Sequence, residues 1–125
     1  MTKLPILSFP ITLVATISIA GLATAKDAPT QPAAFAVCAG CHSVEPGKSS
    51  FGPNLRSVIG RKAGSLPGYA YSKALKASGI VWDAQTLDKW LTSPKKTVPG
   101  TKMPFPGYDD PVKRQQVIDY LMSLT

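Results

Sequence analysis

Histidine and cysteine are nearly missing from this chain: among 125 residues there are one His and two Cys, and all three fall within Cys38-Ala39-Gly40-Cys41-His42. That scarcity excludes a structural zinc site, which needs four ligands. It also excludes a disulfide framework, because a Cys38–Cys41 bridge would close too small a loop to restrain the unfolded chain. Charge is sparse and one-sided, with seven Asp and Glu against fourteen Lys and Arg, and the net charge of +7 favours anionic partners. The length rules out two domains. No internal repeat, low-complexity block or strand of convincing length is present, and an apolar fraction of 44% is too high for a disordered chain.

What the chain does hold is turn chemistry: twelve prolines and ten glycines imply short elements joined by long loops. Residues 1–25 read as a secretory signal, with Lys3, an apolar stretch from Leu4 to Leu22 and the small residues Ala23-Thr24-Ala25 at a cleavage site. The functional domain is then 26–125, working in the periplasm. The alternative is an uncleaved membrane anchor, since the apolar stretch approaches the ~20 residues of a bilayer span. Either way the domain lies outside the cytoplasm. Cleavage lowers the net charge to +6, because Lys3 is the only charge in that segment. A remainder this small buries a modest share of its surface, so a bound cofactor is the best candidate to complete its core.

The expected elements are all helical. Residues 32–40 form a first short helix, with Thr30 or Gln31 near its cap and Pro32 in its first turn. Residues 43–68 are Gly-, Pro- and Ser-rich loop. Tyr71 to Ser78 gives a two-turn helix stopped by Gly79. Asp83 caps a helix reaching Leu91, whose Leu87, Trp90 and Leu91 share a face. Pro94 ends it, and Ser93 to Tyr108 is a basic, proline-braced loop. Asp110-Pro111 opens the last helix, with Val117, Ile118, Leu121 and Leu124 facing inward. The fold class is all-α.

Cys-x-x-Cys-His is the attachment motif for c-type haem. Two cysteines three apart lie on one side of a helical turn and reach the two vinyl groups along one haem edge, and the next residue, His42, is carried beneath the iron. A thioredoxin-type dithiol would need the motif after a strand in a βαβ pattern, which is missing here. For the sixth iron position a neutral thioether is a common partner of His. Met1 lies in the signal and Met122 reads as core filler or helix surface, which leaves Met103 in Pro99-Gly100-Thr101-Lys102-Met103-Pro104; its alternative reading is a loop methionine packed without a role.

At these residues the chain resembles the class I cytochromes c, of the soluble mitochondrial and bacterial periplasmic type. The resemblance runs over nearly all of 26–125, through the Cys38–His42 motif, Gly52-Pro53-Asn54-Leu55, Gly60-Arg61-Lys62, Pro67-Gly68-Tyr69 with Tyr71, Ile80-Val81-Trp82, Pro94-Lys95-Lys96 and Pro99–Met103. It implies a small haem-wrapping fold with one covalent haem c per chain, and Met103 as sixth ligand. It also implies a Pro53 carbonyl bonded to the non-ligating nitrogen of His42, and Arg61, Tyr71 and Trp82 around a haem propionate. Thr101 is expected near Met103 or a propionate, and Phe105 at the exposed haem edge. Four features depart from the family pattern: Gln31 stands where a small Gly is usual, which predicts looser packing of the first and last helices. Trp90 replaces a Tyr, Leu75 an Asn, and Asp109-Asp110 fall where some relatives have lysines.

An iron with both axial positions filled changes charge without binding substrate, so the expected function is one-electron transfer and not catalysis. Lys48, Lys95, Lys96 and Lys102 are candidate contacts for redox partners with acidic docking surfaces: a quinol-oxidising complex, a terminal oxidase or a reaction centre. The carrier is expected to be a monomer that meets membranes only through those complexes, and nucleic acid is not a partner, since no stacking aromatics interleave the lysines. The rival readings are a dedicated electron-accepting subunit of a periplasmic dehydrogenase, and an open-site haem with peroxidase activity.

Overall fold

The segment from Ala33 begins as a single 3-10 turn, Ala33–Phe35, and widens into helix α1, Ala36–Ala39, which delivers the Cys-His window. These features come from a computed structural model that describes residues 28–48 and 50–124; the expected signal segment lies outside the described residues. The remaining helices are α2 (Lys73–Ala77), α3 (Ala84–Thr92), α4 (Pro94–Thr97) and α5 (Pro111–Ser123). Among the described residues the only β pairing is an isolated antiparallel bridge between Lys62 and Val81. None of the described helices is long and apolar enough to cross a membrane.

Local chemistry explains each boundary. Asp83 and Thr86 form a reciprocal capping box at the start of α3. The Asp110 carboxylate accepts from the Val112 amide and Pro111 occupies the first turn of α5. Ser72 caps α2 through the Leu75 amide. At the first helix the expectation fails: Pro32 itself is the N-cap and no side chain bonds there. Gln31 is exposed and precedes the helix. The expected loop after Pro94 contains α4, because Ser93 accepts from the Lys96 amide and Pro94 sits in the first turn, a start signal hidden in a Pro- and Lys-rich run.

Helix α5 is the hub. It packs on the 3-10 turn and on α3, burying Val117, Ile118, Leu121 and Leu124 as expected, together with Tyr120, which the reading of its apolar face left out. The Tyr120 ring meets fully buried Phe35 edge-on at 4.8 Å between centroids, and this contact ties the first segment to the last. Arg114 Nε donates to Asp88 at 2.7 Å and its Nη1 to the carbonyls of Tyr108 and Asp109, which joins α5, α3 and the end of the 98–110 loop. The same loop is held by the Tyr108 amide on the Leu91 carbonyl and the Tyr108 hydroxyl on the Ala34 carbonyl, both at 2.7 Å. Gly107, at φ +116°, is obligatory in this approach: a Cβ there would collide with the Thr92 carbonyl.

Replacing Phe35 by Ala removes the centre of the α5 contact and is expected to cost about 3–5 kcal/mol in thermal or denaturant unfolding. Met122, 48% exposed on the outer face of α5, is expected to tolerate Ala within about 0.5 kcal/mol. Equal effects of the two substitutions would contradict this packing.

Candidate functional site

More than half of the buried apolar side chains also face a cavity of about 510 Å³ at the centre of the molecule. Phe35, Val58, Trp82, Leu87, Trp90, Leu91, Val117 and Leu121 form its apolar walls. Every residue expected around the haem reaches this one space: Cys38, Cys41, His42, Pro53, Arg61, Tyr71, Trp82, Thr101 and Met103, with Phe105 beside them. Among the described residues no Asp or Glu lines it.

The Cys-His window is a helical turn whose geometry follows from its backbone bonds. The amides of Cys41 and His42 both donate to the Cys38 carbonyl, at 3.0 and 2.8 Å. Cys38 is buried and Cys41 exposed. Burial pushes the Cys38 thiol up to about 11, partly offset by its own backbone hydrogen bond and reinforced by Cys41, so it stays protonated near neutral pH. The His42 ring bonds the Pro53 carbonyl through Nδ1 at 2.7 Å. A carbonyl only accepts, so the proton sits on Nδ1 and the lone pair is on Nε2. Burial lowers the His42 pKa from its ordinary value, with the Pro53 bond acting against it, which favours the neutral ring that can ligate.

Gly52 was visible in the sequence as part of a motif but carried no role there; the structure gives it one. A Cβ at Gly52 would lie 2.5 Å from His42 Cε1 and 2.6 Å from Nδ1, so the ring rests flush against bare backbone. The Gly52 amide in turn donates to the Cys41 carbonyl at 2.6 Å. Two loops are thereby locked around the imidazole.

Arg61 stands on the cavity wall. Its Nη2 donates to the Asn54 carbonyl at 2.7 Å, and no carboxylate pairs with it among the described residues. Desolvation lowers its basicity, while neighbouring Tyr71 acts the other way; burial likewise raises the Tyr71 phenol, with Arg61 opposing. The bridge segment supplies the third member: the Trp82 amide donates to the Arg61 carbonyl at 3.0 Å, and its ring meets Trp90 edge-on at 5.4 Å. A half-buried cation on an otherwise apolar wall suits a ligand with an anionic edge. Trp90, where a phenol was the family pattern, adds indole surface to the wall, and Leu75 adds an aliphatic one.

Met103 is half-buried, and its amide donates to the Thr101 hydroxyl at 3.3 Å, so Thr101 shapes the Met103 turn. Lys102 reaches the Ala70 carbonyl at 3.4 Å. Phe105 stacks edge-on with Tyr108 at 5.0 Å. Of the other expected contact lysines, Lys95 and Lys96 are exposed on α4, whereas Lys48 is ion-paired with Glu45; that pairing offsets its charge. The donor set and the cavity fit a haem: two thiols and a neutral imidazole on one turn, a thioether in the same space, an apolar slot, and a cation for its carboxylates.

The comparisons with known proteins agree with this fit. The Cytochrome c family model matches residues 31–125. Cytochrome c2 iso-2 of Magnetospirillum fulvum is 50% identical over 93 residues, 74% of this chain and 97% of that protein. Cytochrome c2 of Rhodoblastus acidophilus is 48% identical over 88 residues, 70% of this chain and 82% of that protein. Among solved structures, cytochrome cH from Methylobacterium extorquens superposes with a TM-score of 0.68 at 53% identity, covering 72% of this chain and 91% of that one.

Gly52→Ala drives a methyl group into the His42 ring and is expected to destabilise the haem-bearing protein by about 1–3 kcal/mol, as overpacking does. Gly40→Ala meets only the Val37 carbonyl, at 3.4 Å, and is expected to change stability by less than about 0.5 kcal/mol. Thermal unfolding of both variants checks the pair; indifference to Gly52→Ala would contradict the close approach.

Proposed function

Since the chain belongs to the cytochrome c family, and is an electron carrier with covalently held haem c, we propose the residues that do this work and the way the protein is used. Cys38 and Cys41 form the two thioethers, and His42 and Met103 take the two axial positions. The observation that carries this reading is the convergence of all four on one apolar cavity. When bound, the haem supplies a one-electron couple between ferrous and ferric iron.

The chain's own residues set the conditions for that couple. Pro53 and Gly52 hold the His42 ring in a fixed plane and tautomer; a fixed ligand needs little rearrangement when the charge changes. Thr101 fixes the Met103 turn. Arg61, with Tyr71 and Trp82 beside it, compensates a buried propionate. The indole and aliphatic walls exclude water, and burial together with the axial set tunes the potential.

With both axial positions taken by side chains, no open site is left for substrate, and the protein acts as a carrier and not as an enzyme. We read it as a monomeric shuttle, exported to the periplasm after loss of residues 1–25, that serves redox complexes with acidic docking faces: a quinol-oxidising complex, a terminal oxidase or a reaction centre. The shuttle is favoured over a permanent subunit because, among the described residues, only five large apolar side chains are exposed: Val37, Phe51, Val81, Val112 and Met122. A permanent interface would need a far larger continuous apolar face.

Met103→Leu tests the axial assignment. In the ferric protein the weak long-wavelength sulfur-to-iron band is expected to vanish, and the reduction potential to fall by on the order of a few hundred millivolts, within the span that axial ligands control. An unchanged band and potential would assign the sixth position elsewhere.

A further inference from the structure

A second recess lies behind the wall of the haem cavity. Helix α2, the outer face of α3 and the end of α4 enclose a groove of about 490 Å³ that shares no lining residue with the cavity. Each of these segments turns one face to each space. Helix α2 gives Leu75 to the cavity and Ala74 and Ala77 to the groove, and α3 gives Leu87 and Trp90 to the cavity and Thr86 and Lys89 to the groove. The chain leaving α4 gives Val98 and Pro99 to the groove before it delivers Thr101 and Met103 to the cavity. The groove has the size of a small-molecule site, for which the usual range is about 300–1,000 Å³.

The lining chemistry narrows the ligand. Ala74, Ala77, Ile80, Val98 and Pro99 make an apolar floor, and Val98 is buried. The hydroxyls are already committed to backbone: Ser78 donates to the Leu75 carbonyl at 2.8 Å, Thr86 to the Val81 carbonyl at 2.9 Å, and Thr97 to the Lys89 and Ser93 carbonyls, both at 2.9 Å. These bonds tie α4 to α3 and hold the groove in shape, so binding costs little reorganisation. Among the described residues Lys89 is the one charged member of the lining, and it is exposed with no ion-pair partner. Asp83 feels the Lys89 charge, but its carboxylate caps α3 through the Thr86 amide and does not line the groove. An apolar floor beside a single ammonium fits an apolar body with one negative charge; a phosphate would leave most of its oxygens without donors.

We infer that this groove binds a small organic monocarboxylate, with its apolar body on Ala74, Ala77 and Pro99 and its carboxylate on Lys89, and that occupancy holds down the loop that carries Met103. The hold on the loop follows from Gly100. At φ +91° this residue lies against α2, where a Cβ would come 3.2 Å from the Ala74 Cβ, and the next amide, that of Thr101, donates to the Val98 carbonyl at 3.1 Å. A body touching Ala74 and Pro99 together therefore bridges α2 to the start of the loop, on the side away from the haem. A ligand that binds only this closed arrangement stabilises it by mass action. Binding here requires the haem-bearing fold but not electron transfer.

The test adds 2-naphthoate to the isotope-labelled, haem-bearing ferrous protein at physiological ionic strength and follows amide chemical shifts. Saturable shifts are expected at Ala77, Thr86, Lys89 and Thr97, with a Kd on the order of 1 mM for a ligand of this size. Exchange of the Thr101 amide is expected to slow about tenfold at ten times that Kd. Ala77→Phe, at an exposed position, fills the groove and is expected to abolish the shifts while leaving the haem spectrum unchanged; Lys89→Gln supplies an independent variant. Lys89→Gln with naphthoate, and wild type with the neutral 2-naphthalenemethanol, are each expected to bind about threefold more weakly, the order for loss of an exposed ion pair. Absence of saturable shifts at ten times the expected Kd overturns the site, as do shifts that Ala77→Phe leaves in place or shifts centred on Lys102 and Met103 at the haem cavity. Equal affinity of wild type and Lys89→Gln overturns the carboxylate assignment, and unchanged Thr101 exchange at saturation overturns the hold on the loop. Displacement of naphthoate by phosphatidylglycerol vesicles overturns the small molecule in favour of a lipid surface.

Discussion

The central cavity is the constraint from which the rest of this structure follows. A protein of this size has one core, and here more than half of the buried apolar residues face a space of about 510 Å³. Left to water, that apolar space would keep these side chains from completing a core. The haem is therefore structural as well as electronic: it completes the core that the described helices surround.

That arrangement explains why the functional residues sit on loops. Helices of four or five residues cannot bury a continuous face, so the walls are brought in by segments fixed at their ends through backbone bonds. Gly52 on Cys41, Trp82 on Arg61 and Tyr108 on Leu91 are such fixings. Each places a wall residue: the His42 support, the cation for an anionic edge, and the end of the Met103 loop. The electrostatics agree with the packing. Burial favours the neutral His42 ring that can ligate, and leaves Arg61 as a half-buried cation without a carboxylate partner among the described residues.

Much of this was legible in the sequence, for physical reasons that differ by element. Asp83 and Asp110 announce their helices because capping is local, and Val117, Ile118, Leu121 and Leu124 follow the helical period. The Cys38–His42 window is chemically specific at five residues. Less visible were contacts between distant segments: Gly52 against His42, Arg114 joining α5 to Asp88 and Tyr108, and Tyr120 against Phe35. No spacing rule encodes them. Helix α4 was hidden because proline and lysine read as loop, although Ser93-Pro94 is itself a start signal. The exposed ion pair of Lys48 with Glu45, three residues away, was also not anticipated.

The claim that haem is part of the core is tested most directly by comparing the haem-bearing protein with a Cys38→Ser/Cys41→Ser chain made without haem, following helical circular dichroism against temperature. The account predicts a cooperative transition for the haem-bearing protein, and for the haem-free chain little helix and no cooperative transition. A haem-free chain that keeps full helicity and melts cooperatively at the same temperature would contradict it.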